Sequence, residues 1–414
     1  MDPRFRGNGG GAGTLSRLWM RELGRSGWFG MKGAVRLGLA GFAATAVAYG
    51  PARTGYGLFV PEFRGEFGIS TSAAGAIGSG LQGGFLLALV ITALLVGRLG
   101  PRLLVAAGGA TAIVGMLLVA LAPNGVTLAA GVCVAGMTAG FCWSPYNDLA
   151  GWNVRVGLRS RVLSAVSTGT TMGIAVSGLV ALAAVAGELP WRAVWLAFVA
   201  GAVLSAALNA VLLRGMSDGR ESAGRPGAGW IFRAGSTPLF AVASSFGVVN
   251  AFYWSFNADV VSSAGLPIPN AGPVLYAVLG VAGFAGLLTG DLVDRFGLDV
   301  TLRFTLLCLG AGSMLLGIAP GSMIVVGVAA VLYGAGVMLM SALLSLWSST
   351  VFPERPSEGF TAALLFFGVG GVVGPAVLGT VGGAFGLGTA FVVAAVLILL
   401  NLPVRTQNKS RDEG

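Results

Sequence analysis

Histidine is absent from all 414 residues, which excludes a Ser-His-Asp triad, a histidine general base and a histidine-bound metal. Cysteine is scarce. Cys133, Cys142 and Cys308 stand far apart inside apolar runs without C-x-x-C spacing, so they outline neither a zinc site nor a disulfide framework and are expected to be small core filler. No G-x-x-x-x-G-K-[ST] occurs, which argues against a built-in ATP motor. The literal G-x-G-x-x-G at Gly78-Ser79-Gly80-Leu81-Gln82-Gly83 lies within an apolar run rather than after a strand. It therefore fails the context of a nucleotide site and reads as a close helix-packing surface. The expectation is a non-enzyme with no cofactor and no metal.

Charge is scarce too, at 10% of residues against 55% hydrophobic, with a mean hydropathy of +0.84. A soluble domain of this size needs far more charged surface, and the 69 glycines are the small-residue excess expected where helices pack closely in lipid. Twelve apolar stretches are expected to span a bilayer, at 34–60, 73–96, 102–122, 126–150, 161–186, 191–213, 236–262, 270–293, 300–318, 321–351, 358–383 and 385–402. Most reach the roughly 20 residues that a helix needs to cross. The net charge of +9 sits in short loops beside these stretches and not on one basic face, so nucleic acid is not an expected partner. With the N-terminus inside, 22 Lys and Arg residues fall on the inner side and only Arg64 and Arg192 outside, leaving Arg53 within a span. This asymmetry predicts that both termini are cytoplasmic; the chain is expected to be a monomer in the plasma membrane.

Residues 1–33 form a cytoplasmic tail, either a short basic amphipathic helix on the inner leaflet or a segment preceding a true start at Met31. No cleavable signal is visible, because the first apolar run is too long and another span follows it. The longest inner connection, 214–235, is rich in Gly, Ser and Arg and divides a six-helix bundle at 34–213 from a second at 236–402, with a tail at 403–414. The halves repeat. Gly97-Arg98-Leu99-Gly100 aligns with Asp294-Arg295-Phe296-Gly297 at an offset of 197, and Gly169, Gly173 and Gly178 align with Gly370, Gly374 and Gly379 at an offset of 201. Duplicated six-span halves imply a binding site between them.

Gly290-Asp291-Leu292-Val293-Asp294-Arg295-Phe296-Gly297 resembles the G-x-x-x-D-R-x-G loop motif of the major facilitator superfamily, between the second and third spans of a half as that family has it. The first-half copy keeps Arg98, Gly100 and Arg102 but has Gly97 for aspartate and Ala93 for glycine. The family's fifth-span antiporter pattern is blurred, and its Gly-Pro pair stands in the eleventh span at Gly374-Pro375. Arg53-Thr54-Gly55-Tyr56-Gly57-Leu58 with Pro61, then Phe67-Gly68-Ile69-Ser70, is similar to the first-span ending of bacterial permeases of mostly unassigned substrate. The resemblance implies an all-α membrane fold of twelve helices in two pseudosymmetric bundles, moving a small solute by alternating access.

Gating residues follow partly from that resemblance. A carboxylate at an inner helix end can accept backbone N–H groups or pair with an arginine, so Asp294, beside Arg295 and Gly297, is expected either to latch onto Arg161 or to sit among solvated loop charges. The resemblance implies that Asp148 pairs with Arg98 or Arg102, the alternative again being a place among solvated loop charges. Gly97 leaves the latch asymmetrical, with Ser357-Glu358 as a local helix cap.

Arg53 is the strongest pointer to substrate. It lies 17 residues beyond Arg36, about 25 Å along a helix, where a charge is costly and usually faces the bundle interior. Tyr49, Arg53 and Tyr56 recur at i, i+4 and i+7, one stripe that offers a guanidinium between two hydroxyls to an anionic group, a carboxylate above all. Alternatively, Arg53 snorkels to the outer interface or pairs with Asp259. In the seventh span an offset of 200 sets Tyr253 opposite Arg53, and Asn250, Tyr253, Trp254 and Asn257 share a polar aromatic face that serves either recognition or helix–helix hydrogen bonding. Gln82 and Trp143 are further candidate substrate contacts, with Tyr146, Thr168, Thr171, Ser341, Ser345 and Trp347 weaker. No acid lies plainly at mid-span, so facilitated transport or proton–anion symport is expected, with Asp259 the candidate proton relay. Two rivals stay open: proton-driven efflux of lipophilic compounds, and a non-transporting sensor or scaffold.

Overall fold

The computed structural model describes residues 31–218, 235–266 and 271–406. Most of the N-terminal tail, most of the long connection and the end of the C-terminal tail lie outside this set, and with them the expectations made for those segments. The described chain forms twelve helical passes. We label them α1, broken into 31–49, Pro51–Leu58 and Val60–Phe67; α2, Thr71–Leu99; α3, Pro101–Ala120; α4, Gly125–Asn153; α5, Val156–Ala186; α6, Trp191–Leu212; α7, Ser236–Ser263; α8, Ala271–Phe296; α9, Leu298–Ile318; α10, Met323–Val351; α11, Pro356–Phe385; and α12, Leu387–Leu399. Ten of these, α2 to α11, are long and apolar enough to cross a membrane. The protein is thus an all-α, multi-pass membrane protein.

Three passes depart from the expected spans, and the twelfth does so by its length, 13 residues at Leu387–Leu399 against an expected 385–402. The first continues to Phe67, seven residues beyond its apolar part, and breaks at Gly50 and Phe59. Pro51 supplies no N–H to the preceding turn, and Gly50 lies against the Gly173 backbone, where a Cβ would come within 2.5 Å. The eighth contains a 3-10 stretch, Gly283–Leu288, between two α-helical segments; such a mid-helix change is a frequent site of bending.

Helix packing shows how the halves join. Within the first half α2 and α3 pack on α4, and α3 on α6; within the second α7 packs on α11 and α12, and α9 on α10 and α12. Between the halves α2 packs on α11 and α5 on α8, two contacts that exchange under the sequence repeat, and α1 packs on α7. Small residues allow these approaches. At Gly75 a Cβ would lie 2.2 Å from the Pro375 carbonyl oxygen, and at Gly280 one would lie 2.4 Å from the Ala175 nitrogen. Leu204, Ile324, Leu287 and Val281, all more than half exposed, belong to the apolar outer surface that lipid covers. By contrast α7 is buried on nearly every side.

Candidate functional site

One end of the helix bundle carries the arginine-rich connections and the other few charges. At the arginine-poor end the halves are joined. Arg64 of α1 meets Asp259 of α7 at 2.5 Å, with Asp259 only 6% exposed, and the Ala376 N–H of α11 donates to Ser79 Oγ of α2 at 2.9 Å. Glu66 binds Arg192 at 2.5 Å and accepts from Trp191 Nε1 at 2.6 Å, tying the end of α1 to α6. Tyr56 donates to the Ala74 carbonyl at 2.7 Å and stacks on Phe63. Of the expected stripe, Tyr56 therefore belongs to this closed end and is not beside Arg53.

Removing one partner of a hydrogen-bonded charge pair leaves the other poorly solvated. Arg64→Gln and Asp259→Asn are each expected to weaken closure of this end by about 1–3 kcal/mol after allowance for the partial exposure of Arg64. The double variant should be little worse than either single one. Amide hydrogen exchange over 60–67 would read the loss, and additive effects would show that the pair does not hold the end shut.

Deeper in the molecule, Arg53 is buried, 8% exposed. Its Nη2 donates to Gln82 Oε1 at 2.9 Å. The guanidinium carbon lies 4.5 Å from the centroid of Phe85, 5.5 Å from Tyr49 and 5.6 Å from Phe367, and Trp143 meets Tyr49 edge-on at 6.3 Å. Ring faces attract a cation, but they neutralise no charge. No carboxylate forms an ion pair with Arg53 among the described residues. Asp259, the alternative partner, is engaged by Arg64. A guanidinium has five N–H donors, and one hydrogen bond to a neutral amide leaves both its charge and most of its donors available. Phe367 belongs to the second half, so the cage closes across the two bundles.

The second half contributes less to this cage than the repeat suggests. Trp254 Nε1 donates to Asn250 Oδ1 at 3.0 Å. Tyr253 is wholly buried, stacked on Tyr333 and edge-on to Phe391, which turns its ring into the second bundle and away from Arg53. Asn257 is also sealed, near the Tyr276 hydroxyl, which donates to the Trp254 carbonyl at 3.1 Å. The residues that sequence reasoning missed are Phe85, Phe367, Ser79 and Arg64, the last counted there only as an outside charge.

At the arginine-rich end the expected latches are not made. Asp294, Arg161, Asp148, Arg98 and Arg295 form no ion pair among the described residues; Arg102 is 3.6 Å from Asp218, and Glu358 is paired with Arg355. Arg295 lies over the ring of its neighbour Phe296. Gly297 has φ +80 and starts α9, a conformation that only glycine adopts freely. Phe85 meets Phe367 edge-on across the halves, with ring centroids 6.4 Å apart.

Comparison with known proteins agrees with this architecture. The family model described as Major Facilitator Superfamily matches residues 39–375. Among solved structures, a mutant of the nucleoside transporter NupG matches with a TM-score of 0.70 at 12% identity, covering 89% of this chain and 98% of that one. A bacterial homolog to the human lysosomal transporter Spinster, in an inward-facing and unoccupied conformation, matches at 0.70 and 15%, covering 90% and 96%. A POT family transporter in complex with thioalcohol conjugated peptide matches at 0.71 and 12%, covering 90% and 94%. No curated protein matches. At these identities the structural likeness carries the fold alone, and the family model, which spans most of the sequence, carries the membership: the chain belongs to the major facilitator superfamily.

Proposed function

We propose that the protein carries a small organic anion across the plasma membrane by alternating access, with Arg53 as the anion site and the arginine-rich end in the cytoplasm. The observation that carries this reading is a buried guanidinium held by a neutral amide and three rings, with no carboxylate to balance it among the described residues. A charge kept in a membrane interior without a partner is costly, and a carboxylate ligand would offset that cost while it is bound. Gln82 holds the guanidinium in place, Tyr49 and Trp143 line its side of the first bundle, and Phe367 brings in the second. Asn250, Tyr253 and Asn257 are buried on α7 and would join the site only through motion of that helix.

The contacts at the arginine-poor end and the unmade latches at the other support a resting state closed outside and open inside. Asp294 with Arg161, and Asp148 with Arg98 or Arg102, would then act as gates formed in the opposite state, with Arg295 and Gly297 shaping the turn that carries Asp294. Asp259, held by Arg64, would couple its protonation to opening of the outer face.

Uptake of small mono- and dicarboxylates into proteoliposomes, with and without a pH gradient, tests the proposal, alongside a thermal-shift screen of the same acids. Saturable uptake and a raised midpoint are expected for at least one acid. Stabilisation by lipophilic cations alone would overturn it in favour of efflux, the second reading, which the ring cage of Tyr49, Phe85, Trp143 and Phe367 favours.

A further inference from the structure

Away from the central site, the first bundle encloses a half-open cavity of about 630 Å³ between α3 and α6, reaching α1 and α4. Its walls are small and apolar: Ala44 and Val47 from α1, Gly109 and Ala112 from α3, Ala202 and Ala206 from α6. It runs from Arg102 to Ala112 along α3 and from Ala202 to Leu213 along α6, about 15 Å at the helical rise. One leaflet of a bilayer core is about 15 Å deep. The outward faces of the same two helices expose Val114, Leu204 and Val211 by 51–70%, so the cavity lies in a wall that lipid covers.

The polar groups along this cavity argue for an apolar occupant. Asn209 donates to the Ala40 and Ser205 carbonyls and accepts from the Tyr146 hydroxyl, while Thr138 shares a hydrogen bond with Thr111 at 3.3 Å. Apart from the Ser205 hydroxyl, little donor or acceptor capacity is left inside for a polar solute. The mouth differs. Arg102 and Arg214 stand there with Asp218; Arg102 reaches the Met216 carbonyl at 3.3 Å and Asp218 at 3.6 Å, and Arg214 has no ion-pair partner among the described residues.

We propose that this cleft holds an anionic phospholipid of the leaflet on the arginine-rich side, with one acyl chain between α3 and α6 and its phosphate at Arg102 and Arg214. The apolar depth matches the chain and the two arginines match the headgroup, a pairing typical of basic pockets between membrane helices. Asp218 works against it by partly neutralising Arg102. The site is separate from the Arg53 cage, so it stands whether or not the protein carries anions.

Native mass spectrometry of the full-length protein in neutral detergent, titrated with phosphatidylglycerol or with phosphatidylcholine of the same chains, tests the proposal. Preferential retention of phosphatidylglycerol is expected. Arg214→Gln should lower that preference about fivefold and Arg102→Gln with Arg214→Gln about thirtyfold, whereas Asp218→Asn should raise it. Ala210→Phe, at an exposed position on the cleft wall, should reduce retention of both lipids. Glycerol phosphate, a headgroup without chains, should not be retained. An unchanged preference in the double variant would overturn the proposal, as would retention of glycerol phosphate equal to that of the lipid, which would mark a simple anion site.

Discussion

Arg53→Ala is expected to abolish measurable binding and uptake of the transported anion while leaving the protein folded. Truncating one partner of a buried, hydrogen-bonded charge pair costs about 2–5 kcal/mol, which is roughly thirtyfold to several thousandfold in affinity. The ligand-free protein should respond in the opposite sense. There Arg53 is held by Gln82 and by ring faces without a carboxylate, so alanine removes an uncompensated buried charge and forfeits one hydrogen bond to a neutral amide. The melting midpoint without ligand should therefore hold or rise, and the ligand-induced shift should vanish. Arg53→Lys separates charge from geometry. An ammonium keeps the charge but not the planar fork that meets a carboxylate with two hydrogen bonds, so affinity should fall by about tenfold rather than disappear. Gln82→Leu, which frees the guanidinium to move, should fall between the two. Isothermal titration and proteoliposome uptake give the affinities, and calorimetric melting gives the stabilities. A lowered midpoint with intact anion binding in Arg53→Ala would make the residue a structural anchor.

Arg53 was legible because a charge inside an apolar run stands out against its neighbours, and the same contrast made the helix passes legible. Phe85 and Phe367, two of the three rings around it, were not, since an aromatic residue in an apolar span gives no contrast; only the packing of α2 on α11 brings them together. The repeat placed Tyr253 at the depth of Arg53, but register fixes height along a helix and says nothing of which bundle a ring enters. Tyr253 turns toward Tyr333. The extension of α1 to Phe67 was missed because it is polar and leaves the bilayer, yet it carries Arg64 and Glu66, two of the groups that close the arginine-poor end. The unmade contacts of Asp294 and Arg161 illustrate a further limit. A latch that forms in one state of an alternating cycle is written in the sequence together with the state in which it is broken, and hydropathy and charge do not choose between them.

Gly57→Ala should hold the arginine-poor end open. A Cβ at residue 57 would sit 1.6 Å from the Trp254 carbonyl oxygen and 2.7 Å from the Tyr276 hydroxyl, where α1 crosses α7. The nearer obstacle is backbone in the middle of α7, which is buried on nearly every side and cannot yield as a flexible side chain would. Relief therefore requires the two helices, and with them the two bundles, to separate. Overpacking of this kind costs about 1–3 kcal/mol, and at the upper end it moves a two-state equilibrium by about 150-fold. The other state makes no such contact and gains relative population. Spin labels at Gly65→Cys and Ser263→Cys, both exposed near the arginine-poor end, in a background lacking Cys133, Cys142 and Cys308, should give one short distance in the parent and a longer, broader distribution in Gly57→Ala. Transport should fall by more than tenfold because closing becomes limiting, while anion affinity at Arg53 should change far less, since Gly57 lies beyond the cage. A short, unchanged distance in the variant would show that α7 bends locally to admit the methyl group, and the crossing of α1 over α7 would then not be the element on which closure depends.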